Sequence, residues 1–341
     1  MDERYQDQMN VWQNPSLPKV VNTPFVTWAI LITNVVVWSV IFIEGGTNNP
    51  EILTDYGAMF GPFISNGEYW RLFTAMFMHA GLTHLALNGF GMYIFGSLVE
   101  RTFGHVRFLI IYIFSGLIGS VSSYLLNSLS VGVGASGAIF GVLGALASFF
   151  LVHRNVSGMT ARRNLYGVLI LSLVNLAFGL VTPGIDNAAH IGGFAAGVAL
   201  GFGLSPRFRV VLTSSVSFGV SVVMSNSRFR LWWVSAASVV VILVGIWSGK
   251  FTTPDNGYTH IFVAERYFNQ QAYYLALAEL DKAVGLEGPI AELHLLRGRI
   301  LASLGNLTEA RVELRMAIRF GNDRVRSEAV NLLLVLNSRQ F

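Results

Sequence analysis

Residues 131–152 read VGVGASGAIFGVLGALASFFLV. No charge interrupts them, and at about 1.5 Å per residue a helix of this length crosses a hydrocarbon core about 30 Å thick. Near its start stands Ser136, between Ala135 and Gly137. Six more uncharged stretches lie around it: Phe25–Ile43, Thr83–Val99, Phe108–Leu126, Leu165–Val181, Ala188–Leu204 and Leu231–Trp247. Only helices can carry single segments through lipid without stranding backbone polar groups, so these stretches predict seven spans. The first follows a polar arm with no basic start, which argues against a cleaved signal. Val210–Met224 is apolar but rich in serine; it reads as an amphipathic or mobile connector, with an eighth span as the alternative.

Composition agrees. The 341 residues are 53% hydrophobic and 12% charged, about half the charge of a soluble domain. A net charge of +4 without a dense basic run gives no reason to expect a nucleic-acid partner. Cysteine is absent, which excludes disulfides, thiol catalysis and cysteine metal sites. From Asp255 onward ten basic and ten acidic residues restore a soluble character. The predicted fold class is therefore all-α: a polytopic membrane helical bundle followed by a soluble helical domain. The expected segments are a polar arm (1–24), a six-span core (25–204), a connector (205–230), a seventh transmembrane helix (231–248) and a helical tail (258–341).

Nine arginines in alternate gaps, from Arg101 to Arg230, face one, Arg71, in the others. The positive-inside rule then puts the N-terminus in the cytoplasm, and an odd number of spans puts the tail outside. The expected location is an integral, multi-pass position in a bacterial cell membrane.

Polar residues inside lipid are costly and usually functional. His84 and Asn88 on the second span, Ser136 on the fourth and His190 on the sixth all fall near the start of an inward-running helix, within about 10 Å of the outer face. A lone serine most often bonds back to its own helix, a lone histidine can simply bridge helices, and Asn34, Asn127 and Asn175 show that polar residues here need not be active. The shared depth on three helices is what favours a site. Gly137 and Gly141 follow Ser136, and Gly193 and Gly197 follow His190. Such small faces let helices approach closely, whether for packing alone or to bring a nucleophile to a base. The GASG string opens an apolar helix, so it is not the strand-to-helix elbow of soluble hydrolases.

Several strings resemble the rhomboid family of intramembrane proteases. MHAGLTHLALN (Met78–Asn88) is similar to its second-helix motif, GASG (Gly134–Gly137) to its serine motif and AHIGGFAAG (Ala189–Gly197) to its histidine motif. Trp70-Arg71 and Glu100-Arg101 resemble two further signatures, and the likeness covers about Pro24 to Leu204. The resemblance implies a serine endopeptidase without a cofactor, acting on transmembrane proteins within the lipid bilayer. It implies Ser136 as nucleophile and His190 as its base, with no acidic third member. It also implies that His84, Asn88 and the Ser136 N–H stabilise the oxyanion. His79 is expected to be structural or to hold water. His79 and His84 lack a nearby acidic ligand, so no metal is expected.

In the tail, Ala276 and Ala283 recur as Ala310 and Ala317, 34 residues on, the period of tetratricopeptide repeats. About two repeats and a final helix from Arg326 to Ser338 are expected, an ordinary helical bundle being the alternative. Such arrays offer surfaces for peptides or proteins, so a partner of the tail is expected. A non-catalytic scaffold holding client proteins is the competing function. A transporter fits less well, because the polar residues cluster at one face and no acid lies within a span.

Overall fold

The computed structural model describes residues 20–206, 209–214, 217–221, 228–252, 256–287 and 290–338. The polar arm up to residue 19 and Arg207 lie outside them. The chain forms two compact units, Met1–Thr253 and Pro254–Phe341.

The first unit is a bundle of apolar helices. Among the described residues six are long and apolar enough to cross a membrane: Phe25–Ile43, Gly81–Phe103, His105–Leu126, Met159–Val181, Asn187–Leu204 and Arg230–Gly249. A seventh apolar helix, Ser136–Val152, is shorter, at 17 residues. These are taken below as spans 1 to 7 in chain order, Ser136–Val152 being span 4.

The expected fourth span was Val131–Val152, but residues 131–135 are not helical. Met59 and Gly132 exchange backbone hydrogen bonds of 2.9 and 2.8 Å, and the Gly134 N–H donates to the Ala75 carbonyl. Gly134 holds φ of +129°, which an L side chain rarely adopts. Helix formation is thereby delayed to Ser136. The span can be short because it runs through the middle of the bundle: every residue from Gly137 to Phe150 is buried. A helix apolar on all sides belongs in such a place.

Span 1 begins at Pro24–Phe25 with no side-chain cap of its own. Glu100, wholly buried near the end of span 2, supplies one. It accepts from the Val26 N–H at 2.9 Å, the Thr27 N–H at 2.7 Å and the Thr27 hydroxyl at 2.6 Å. A carboxylate at a helix N-terminus meets both the unpaired donors and the positive end of the dipole.

The loop between spans 1 and 2 contains three short α-helices, Pro50–Tyr56, Gly61–Ser65 and Arg71–Thr74, and a 3-10 turn, Ala75–Phe77. Arg71 is buried at its centre. Its Nη1 donates to the Thr54 and Ala58 carbonyls and its Nε to Glu68, while its guanidinium lies over the Phe63 and Trp70 rings. The loop is therefore a packed structure.

The connector departs from expectation. Arg209–Ser214 and Ser217–Ser221 pair as an antiparallel hairpin, with Val210 opposite Val220. Valine, threonine and phenylalanine in these runs suit a strand. A lone two-stranded hairpin leaves edge groups unpaired and cannot span lipid, so these residues form no eighth span.

Among the described residues the second unit contains five helices: Gly257–Asn269, Tyr273–Glu287, Ala291–Ser303, Leu307–Phe320 and Asp323–Ser338. The third starts 34 residues after the first (291 − 257), and the fourth 34 after the second (307 − 273). Ala276, Ala283, Ala310 and Ala317 are all fully buried where the hairpins close. A side-chain pair repeats with the same shift. His260 Nδ1 meets Glu279 Oε2 at 2.7 Å, and His294 Nδ1 meets Glu313 Oε2 at 2.6 Å. The final helix begins at Asp323 and not at Arg326, because the Asn322 side chain accepts from the Val325 N–H and starts it early.

Candidate active site

Spans 2, 4 and 6 bring the predicted residues to one end of the bundle. Ser136 is the first residue of its helix, whereas His84 and His190 are each three residues into theirs. At 1.5 Å per residue they lie within about 5 Å of their helix starts, closer to the end than the sequence suggested. The Ser136 N–H, in a first turn, has no intrahelical acceptor.

Gly134 makes the room. A methyl group built on it would lie 2.8 Å from His84 Nε2 and 3.7 Å from Ser136 Oγ. The imidazole of His84 and the hydroxyl of Ser136 thus face one small space that a side chain would fill. Asn88 is buried one turn further along span 2, and its Nδ2 donates to the His84 carbonyl at 3.1 Å. That bond uses one amide hydrogen and leaves the other.

His79 is wholly buried beside His84, their rings edge to face at 5.1 Å. Burial, and then the neighbouring His84, lower its pKa to about 3. It is neutral at ordinary pH, so its Nε2 can accept the Ala135 N–H at a long 3.5 Å. The contact is to the residue just before Ser136.

His190 is 7% exposed. Its ring stacks on Phe140, with centroids 4.2 Å apart and planes 10° from parallel. Phe140 is four residues after Ser136, and residues so spaced share a helix face. His190 is thereby held against the face of span 4 that carries Ser136. Asp186, the nearest acid, caps span 6: its carboxylate accepts from the Ala189 N–H at 3.1 Å and from Asn127 Nδ2 at 3.0 Å.

The two helices meet backbone to backbone. A Cβ on Gly193 would strike the Gly137 carbonyl, and one on Gly197 the Gly141 carbonyl. A Cβ on Gly201 would come 2.8 Å from Ala145 Cα. These contacts recur every four residues with constant offset, so the register of Ser136 against His190 is set by a ladder of small residues. Sequence reading found Gly137, Gly141, Gly193 and Gly197 but missed Gly201 and Phe140. Its signal was available: an aromatic four residues after the serine.

Comparison with known proteins shows the family. The rhomboid domain profile matches residues 66–207. The provisionally named rhomboid protease YdcA of Bacillus subtilis (strain 168) is 32% identical over 180 residues, which cover 52% of this chain and 87% of YdcA. The chain belongs to the rhomboid family. Two further rhomboid relatives are longer. Rhomboid protease GluP of Bacillus subtilis is 35% identical over 219 residues, 63% of this chain and 41% of GluP. RHOMBOID-like protein 6, mitochondrial, of Arabidopsis thaliana is 44% identical over 141 residues, 41% of this chain and 45% of that protein. The chain spans less than half the length of these two rhomboids. The rhomboid profile itself ends at residue 207, before span 7 and the second unit.

Proposed function

We propose that this protein is an intramembrane serine endopeptidase that hydrolyses peptide bonds in or near transmembrane segments of other membrane proteins. The stacking of His190 on Phe140, one turn from Ser136, is the observation that carries the reading. Neutral His190 takes the Ser136 proton as Oγ attacks the scissile carbonyl carbon. Negative charge moves to the carbonyl oxygen. The Ser136 N–H, His84 and the free amide hydrogen of Asn88 donate to it; losing one such donor typically costs about 100- to 1,000-fold in turnover. His190 then gives its proton to the leaving amine. A water attacks the acyl-serine, His190 takes a proton from it, and collapse releases the acid as His190 returns that proton to Ser136 Oγ. His79 has a structural role, accepting from Ala135 and fixing the approach to the serine.

A substrate helix hides its carbonyls in hydrogen bonds, so segments with helix-weakening residues are preferred. The site opens to the outer side, the N-terminus lies in the cytoplasm, and the membrane is a bacterial cell membrane. The second unit is a pair of tetratricopeptide-like repeats with a final capping helix, supported by the 34-residue shift shared by its helices, its alanines and its His–Glu pairs. It lies outside and engages a peptide or protein, which favours recruitment of substrates.

A fluorophosphonate probe tests the nucleophile directly. Ser136 is expected to be the labelled residue, with labelling at least about 100-fold slower in His190→Ala. Equal labelling of wild type and Ser136→Ala would refute the assignment.

A further inference from the structure

Span 7 lies beyond the residues that the rhomboid profile matches, and it packs on span 3. Gly245 and Gly249 face span 3, where an added Cβ would collide with Val121 and with the Tyr124 ring respectively. Tyr124 is 1% exposed, so its ring has nowhere to retreat. Its hydroxyl lies 2.8 Å from Ser65 Oγ, at the end of the second short helix in the loop between spans 1 and 2. Ile242 of span 7 belongs to the same buried cluster as Tyr124, Met59, Ile64 and Ala75.

Two members of that cluster hold the approach to Ser136. Met59 pairs with Gly132 through two backbone hydrogen bonds, and Ala75 accepts from the Gly134 N–H at 2.9 Å. Gly61 adds a third tie, its N–H donating to the Ser128 carbonyl at 2.8 Å. A continuous set of contacts therefore runs from Gly249 through Tyr124 and Ser65 to the loop, and from the loop to the segment that places Gly134 and Ser136.

We propose that span 7 is a positioning element of the proteolytic site, with Gly249 seating Tyr124 and Tyr124 acting as a positioning residue through Ser65. The inference rests on the protease reading given above. Tyr124 touches no reacting atom. It holds the loop whose backbone aligns the first turn of span 4, and a small misplacement there affects the chemical step more than substrate capture.

The test compares wild type, Tyr124→Phe, Gly249→Leu, Tyr124→Ala, the Gly249→Leu/Tyr124→Ala double variant and Val241→Ala, whose side chain is exposed on span 7. Cleavage of a single-span reporter protein is followed in liposomes, and hydrogen exchange is measured over residues 59–65 and 132–135. Tyr124→Phe and Gly249→Leu are expected to lower kcat by about 10-fold with KM within about twofold. The double variant should be no worse than Tyr124→Ala, because the displaced ring is gone and the two changes act on one contact. Val241→Ala should match wild type. Exchange in both segments should quicken in Gly249→Leu. Wild-type kcat in Tyr124→Phe and Gly249→Leu, multiplied losses in the double variant, or unchanged exchange would overturn the proposal. If the wild type did not cleave at all, the protease reading would fail, and the exchange measurement would still decide the positioning claim.

Discussion

The imidazole of His190 and the phenyl ring of Phe140 lie face to face, 4.2 Å between centroids and 10° from parallel. Phe140 sits one turn below Ser136, so this contact joins the base to the helix of the nucleophile. Among the described residues, no hydrogen-bond partner and no carboxylate meets the buried His190 Nδ1. Among the described contacts, stacking is what fixes the plane of the ring.

Phe140→Ala should therefore release the ring. The expected loss is about 10- to 100-fold in kcat with little change in KM, and Phe140→Tyr should restore most of it. Steady-state kinetics on a single-span reporter checks both variants. Equal activity in the alanine variant would mean that His190 is oriented by something else.

The glycine ladder makes a different kind of prediction. In Gly193→Val the new side chain meets the Gly137 carbonyl, which is backbone and cannot turn aside. Overpacking of this kind typically costs about 1–3 kcal/mol. Thermal unfolding in detergent should show a lower midpoint, with activity lost in parallel, whereas Gly167→Ala, where added bulk meets nothing, should be close to neutral.

Acid should weaken the fold through His79. Its native pKa of about 3 lies below the ordinary 6.5, so between these values the unfolded chain binds the proton and the folded one does not. Stability thus rises with pH across that window and is lost as pH falls through it. His79→Gln retains an acceptor and cannot titrate. Its unfolding midpoint should depend less on pH between about 4 and 7 than that of wild type. Identical slopes would show that His79 is not the group responsible.

The repeated His–Glu pairs of the second unit should be energetically similar. Glu279→Ala and Glu313→Ala each remove the carboxylate that the histidine meets, at a typical cost of about 1–3 kcal/mol. Denaturant unfolding of residues 254–341 measures both. A large cost in one and none in the other would argue against equivalent repeats.

Much of this was legible in the sequence, for physical reasons. Uncharged runs mark lipid-facing or buried helices directly, so span 1 has the predicted limits, Phe25–Ile43. The polar residues of three helices pointed to one depth because their cost in lipid makes them conspicuous. What escaped depended on tertiary contact. Residues 131–135 looked as apolar as the helix that follows, and pairing with Met59 and Ala75 keeps them out of it. The hairpin at Arg209–Ser221 was masked because valine-rich runs suit both strands and membrane helices. Phe140 was one aromatic among 25 phenylalanines, and Tyr124 gave no sign of its bond to Ser65.

The most direct measurement is cleavage of a purified single-span membrane protein in liposomes by wild type, Ser136→Ala and His190→Ala. The account predicts that only the wild type cuts, with each variant reduced by at least about 1,000-fold. Cleavage by all three would contradict the Ser136–His190 assignment.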